Sequence, residues 1–221
     1  MKNILKPLYL LSISISNVPM KYLLSIISTI LISFSAFCND TLTVFYRIRL
    51  DQDINSASRY QVTAGLEKAA EAEADYVILD LNTYGGEVSA ADSIRSAILR
   101  YDRPVIAYVN MQAASAGALI SIACDSIYMK TGSSIGAATV VNQTGEVMPD
   151  KYQSFMRGMM RSTAQATGRD PKIAESMTDT ANVLSMTPSE AMEVGYCEGI
   201  CETEYEVAQK VVPGKQFIIK N

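Results

Sequence analysis

At 221 residues, 48% hydrophobic and 19% charged, the chain has material for one sizeable core, which excludes wholesale disorder. It holds no histidine, so Ser-His-Asp and Cys-His catalysis, histidine metal sites and imidazole acid/base work are excluded together. A net charge of −4 with no run of Lys and Arg argues against a nucleic-acid partner.

The first acidic residue is Asp40, and residues 22–39 (YLLSIISTILISFSAFCN) are uncharged behind Lys21. This is the pattern of a secretory signal, with Ala36 and Cys38 at the small-residue positions before a cut. Cleavage after Cys38 is expected, with Met20 as the true start. Residues 39–221 then form one exported domain, at the periplasmic or extracytoplasmic face of the membrane. The alternative is an uncleaved anchor, but a span needs about 20 apolar residues and this segment is Ser-rich. Phe37 argues against lipidation of Cys38.

Residues 41–50 (TLTVFYRIRL) alternate apolar and polar, as a half-buried strand does. Val62, Leu66 and Ala69 mark a helix within 56–73. Residues 76–81 (YVILDL) are short, continuous and β-branched, the signature of a buried parallel strand. Gly85 and Gly86 break the chain, and Val88, Ala91, Ile94 and Ile98 mark a second helix.

Pro104 introduces a buried strand over 105–109. Small residues at 113–118 (AASAGA) then open a helix that reaches about Cys124, followed by a strand at 126–129 (SIYM) and TGSSIGAA at 131–138. From Asp150 the pattern is mostly helical, with capping boxes expected at Thr187/Glu190 and Thr203/Glu206. Alternating strands and helices make the fold class α/β with a parallel sheet.

After signal cleavage Cys124, Cys197 and Cys201 remain, an odd set for an oxidising compartment. Cys124 reads as inert core. A Cys197–Cys201 bridge rests on spacing alone, and two cysteines without histidine make a poor zinc site. Neither metal nor cofactor is expected.

Reactive groups in α/β folds gather at the carboxyl ends of strands. Gly85-Gly86 and Ser115 both sit there. Glycine admits a ligand close to the backbone, and a helix N-terminus offers unpaired N–H groups to a developing negative charge. Ser115, flanked by Ala114, Ala116 and Gly117, is open to a substrate carbonyl; the competing reading is a simple helix cap. Without histidine the available base is a lysine. Lys151 follows Pro149-Asp150 at a helix start, where the dipole favours the neutral amine. Lys130, ending the SIYMK strand, competes for the role.

LDLNTYGG (79–86), RPVIAYVNMQAASAGALISIACDSIYM (103–129), GSSIGAA (132–138), ATGRD (166–170) and TPSEAMEVGYCEGI (187–200) closely resemble the NfeD-type membrane-bound serine proteases. The resemblance covers about residues 41–210. It implies the ClpP/crotonase-like fold, a repeated ββα superhelix with a mainly parallel sheet. It also implies a Ser-Lys dyad of Ser115 and Lys151, an oxyanion hole from the backbone of Gly86 and Ala116, and a substrate-binding loop at Tyr84 and Gly85.

By the same resemblance the activity is endopeptidase cleavage of a hydrophobic segment, typically in a stomatin-like membrane protein, by a homo-oligomer of two or more copies. Two features depart from the family. Tyr84 stands where proline is usual, and the chain ends at GKQFIIKN where members continue into membrane helices and a small β-barrel, so a short form is expected. The alternatives are an inactive or truncated peptide-binding or assembly domain, a signal-peptide peptidase of the same dyad class, and a crotonase-like acyl-CoA enzyme, which an export signal disfavours.

Overall fold

The computed structural model describes residues 42–221; the expected signal segment and its cleavage site lie outside them. Strand β1 (Thr43–Asp51) is followed by helix α1 (Ser56–Glu71), β2 (Tyr76–Thr83), α2 (Val88–Ile98), β3 (Val105–Ala114), α3 (Ala116–Ile122) and β4 (Ser126–Met129). Then come β5 (Ser134–Gly136), α4 (Asp150–Ala166), α5 (Pro171–Ser176), β6 (Ser185–Met186), α6 (Pro188–Glu193), β7 (Gly199–Ile200), α7 (Glu204–Val211) and β8 (Phe217–Lys220).

The strands form one sheet in the order β6-β5-β3-β2-β1-β8, with β4 also on β3 and β7 on β4. Every pair is parallel except β5 with β6. Parallel neighbours need crossovers, and α1 and α2 supply the first two. Strand β3 has β2 along one side, while its other side divides: Ile106–Val109 pair with β4 and Gln112–Ala114 with β5. Near the division the register with β2 slips between Leu81 and Thr83.

The apolar periodicity of the sequence becomes two buried layers. Leu79, Leu81, Ile94, Leu119 and Ile120 belong to the larger one, each side chain contributing about 1.5–3 kcal/mol of burial. Phe45, Ile78, Ile106, Tyr108 and Val207 form a smaller one on the opposite face, with α7. Strand β1 therefore buries both faces, Phe45 on one and Ile48 and Leu50 on the other, in place of the single buried face that alternation suggested.

On the α7 side lies Asp80, only 6% exposed. Burial, and then the charge and hydrogen bond of the Glu204 carboxyl, push its acid up to about 6, partly opposed by Asn110 and Arg49. Arg47 pairs with Glu204 at 3.3 Å.

Beyond Asp150 the helices are interrupted by the short strands β6, β7 and β8, which local pattern did not reveal. The Thr187 capping box is complete: Thr187 Oγ1 accepts from Glu190 N–H, and the Glu190 carboxylate accepts from Thr187 N–H at 2.8 Å. At Thr203 only half forms, because the Glu206 carboxylate takes the N–H of Glu202 instead. Arg169, from the ATGRD segment, donates to the carbonyls of Ile122 (3.4 Å) and Cys124 (2.9 Å) and so closes the C-terminal end of α3.

Candidate active site

Strand β3 carries the chain to Ser115, and α3 leads it away. Ser115 adopts φ 55° and ψ −116°, a conformation that costs a non-glycine residue about 1–3 kcal/mol. The surroundings impose it. Ser115 N–H donates to Gly136 O at 2.9 Å, and the N–H groups of Ala118 and Leu119 donate to Ser115 O at 3.0 and 3.4 Å.

Asn55, Thr187 and Thr203 cap their helices with side-chain oxygens, whereas Ser115 makes no such bond. The helix-cap reading of Ser115 therefore fails. Among the described residues nothing engages its hydroxyl.

Gly85 and Gly86 have φ of 113° and 149°, values suited to glycine alone. Gly85 lies directly against the serine: a Cβ on it would stand 2.6 Å from Ser115 Cβ and 3.1 Å from Oγ. The Gly85 carbonyl accepts from Ile54 N–H at 2.8 Å, and Glu87 N–H donates to Ile54 O at 2.7 Å. In a trans peptide N–H and C=O point oppositely, so the Gly86 N–H is turned away from Ile54. Among the described residues no hydrogen bond uses the N–H of Gly86 or of Ala116. Tyr84 is 78% exposed. Without proline at 84, the turn is held by Ile54 on one side and by Thr83 on the other, whose Oγ1 accepts from Gly85 N–H at 3.1 Å.

Lys151 is the second residue of α4, exposed, with Nζ 4.9 Å from the centroid of the Tyr152 ring. It lines a groove of about 620 Å³ with Val88, Val140, Tyr152, Phe155 and Met156. Val88 is the first residue of α2, two beyond Gly86, so the groove begins where the glycine turn ends. No hydrogen bond joins Lys151 Nζ to Ser115 Oγ. Lys130 follows β4, its N–H bonded to Val109 O at 2.9 Å.

Sequence reasoning passed over Gln153. It is 2% exposed and fastens α4 to the hairpin before it: its amide accepts from Val140 N–H (3.0 Å) and donates to the carbonyls of Val140 (2.7 Å) and Met148 (3.1 Å). A glutamine among helix-forming residues carries no sequence signal for this.

Cys124, Cys197 and Cys201 are free and buried, so the bridge considered from spacing is not formed. Burial pushes the Cys197 thiol up to about 11 and raises the Cys124 and Cys201 thiols, which suits inert core rather than nucleophiles.

A family model described as the N-terminal domain of NfeD1b matches residues 44–216. The chain is 34% identical over 177 residues to Membrane protein NfeD1b of Bacillus subtilis, covering 75% of this chain and 40% of that protein. It is 30% identical over 193 residues to Membrane-bound protease PH1510 of Pyrococcus horikoshii, covering 84% of this chain and 43% of the relative. The chain thus spans about two-fifths of the length of these relatives.

Among solved structures, a serine-to-alanine mutant of the 1510-N membrane-bound stomatin-specific protease superposes with a TM-score of 0.74 at 26% identity, over 82% of this chain and 99% of that one. A lysine-to-alanine mutant of the same protease, in complex with a substrate peptide, gives 0.74 at 27% identity, over 81% and 92%. ClpP1 of Listeria monocytogenes matches at 0.60 with 20% identity, over 73% of this chain and 94% of that one, which shows the ClpP-like fold.

Proposed function

The chain belongs to the family of NfeD1b N-terminal domains, and from that premise we propose that it is a Ser-Lys dyad serine endopeptidase with Ser115 as nucleophile and Lys151 as base. The observation that carries the reading is Ser115 itself: a strained residue with an uncommitted hydroxyl, packed against a glycine turn. Relatives described as proteases support it.

In the proposed reaction Ser115 Oγ attacks a peptide carbonyl carbon while neutral Lys151 Nζ takes its proton. The oxyanion is received by the N–H groups of Gly86 and Ala116, and a donor of this kind is worth about 2.7–4 kcal/mol. Collapse breaks the C–N bond, and the lysine proton passes to the leaving amine. Water then attacks the acyl ester as Lys151 takes one of its protons, and the C–O ester bond breaks as that proton passes to Ser115 Oγ, which leaves the acid product, the serine hydroxyl and the neutral amine. The Lys151–Ser115 hydrogen bond belongs to the substrate complex in this reading, since catalytic hydrogen bonds often tighten only there.

The apolar groove suits a hydrophobic segment, and the name of a relative as stomatin-specific supports a stomatin-like membrane protein as its source. Export behind residues 1–38 and assembly as a homo-oligomer complete the reading; exposed Phe155, Val141 and Val147 near the groove support assembly. No helix among the described residues is long and apolar enough to cross a membrane.

The test is labelling with a serine-reactive fluorophosphonate. Modification at Ser115, lost in Ser115→Ala together with peptide cleavage, supports the enzyme. No labelling and no cleavage would leave a peptide-binding domain.

A further inference from the structure

Thr83, the last residue of β2, is 2% exposed, and the two branches of its Cβ reach two different turns. The hydroxyl accepts from Gly85 N–H at 3.1 Å and approaches Gly85 O at 3.4 Å. The methyl fills the space left by the missing side chain of Gly117, where an added Cβ would stand 2.7 Å from Thr83 Cγ2. Gly85 in turn lies on Ser115, which closes a ring of contacts Thr83–Gly85–Ser115–Gly117.

We propose that Thr83 is a positioning residue for the oxyanion hole: its hydroxyl holds the N–H of Gly85 and donates to the carbonyl of the Gly85–Gly86 peptide, and with Ile54 so sets the direction of the Gly86 N–H, while its methyl keys that turn to the serine turn. The inference rests on the peptidase reading of Ser115.

Only threonine serves both turns. Serine lacks the methyl; valine keeps the shape but leaves Gly85 N–H without its buried partner. Once the hydroxyl is lost, the glycine turn is tied to Ile54 alone and its free N–H can rotate away from the oxyanion. A donor that acts only in the transition state changes turnover, not ground-state binding.

The experiment compares wild type, Thr83→Val and Thr83→Ser on a hydrophobic peptide, after thermal melts establish that each is folded. Thr83→Val is expected to lose about 10- to 100-fold in kcat with KM unchanged. Thr83→Ser is expected to stay within about threefold of wild type, although it gives up the packed methyl. A purely structural Thr83 would give the reverse, with the serine variant the poorer one, and that result overturns the proposal, as does wild-type kcat in Thr83→Val. If the valine variant does not fold, Thr83→Ala takes its place with the same expected loss. A wild-type protein that neither cleaves peptide nor labels at Ser115 overturns the peptidase reading and this inference together; an active wild type with an unaffected valine variant overturns this inference alone.

Discussion

The backbone of Gly85 lies directly on the Ser115 side chain: a methyl group on Gly85 would stand 2.6 Å from Ser115 Cβ. Gly85→Ala must therefore displace the serine turn, and it also places a side chain at φ 113°. The variant is expected to lose about 2–4 kcal/mol of stability and at least about a hundredfold in the rate of fluorophosphonate labelling. Urea denaturation and labelling kinetics measure the two effects. Unchanged labelling would contradict the contact.

Ser115→Gly separates stability from activity. Glycine accepts φ 55° without the penalty a serine bears, so stability is expected to rise by about 1 kcal/mol while hydrolysis disappears. A fall in the denaturation midpoint would show that the serine conformation is not strained.

The two candidate lysines are distinguished by substitution. Lys151→Arg should be as inactive as Lys151→Ala, because guanidinium holds its proton at any working pH and cannot serve as a base. Lys130→Ala should keep most activity. The opposite outcome transfers the role of base to Lys130, and two active alanine variants would exclude a lysine base.

Asp80 makes stability depend on pH in a stated direction. Its folded value, raised to about 6 by burial first and Glu204 second, means that the folded state holds the proton more tightly than the unfolded chain. Stability from this group is therefore present below the unfolded value of about 4, falls as pH rises toward 6, and is level beyond it. Asp80→Asn removes the ionisation. It should raise stability by about 2 kcal/mol near neutral pH, with little difference near pH 4. Equal gains at both pH values would exclude titration as the cause.

The long elements could be read from local pattern because each carries its own signal in its residues. YVILDL is apolar on both faces and β-branched, and it is β2. Thr187 and Glu190 cap each other within four residues. The strands β5 to β8 could not be read, because segments as short as Ser185–Met186 and Gly199–Ile200 owe their conformation to partners far along the chain. In the candidate site, Gly85, Gly86 and Ser115 stand out as small residues at the carboxyl ends of strands. Thr83 does not, because a threonine ending a β-branched run is unremarkable until Gly85 and Gly117 fold against its two branches. Gln153 is hidden for the same reason, its partners being backbone groups of a hairpin.

The pairing of Phe217–Lys220 with Thr43–Tyr46 has a consequence for biosynthesis. Strand β1 is among the first described segments to leave the ribosome, and β8 is the last. The outer edge of β1 thus stays open until every other described element has emerged, and joining segments so far apart is slow. An open apolar edge is a template for other nascent chains. Arg47 and Arg49 put two positive charges on that strand throughout the interval. In the finished fold they pair with Glu204 at 3.3 Å and Asp51 at 2.7 Å; charges on a strand whose edge is open oppose its pairing with other chains.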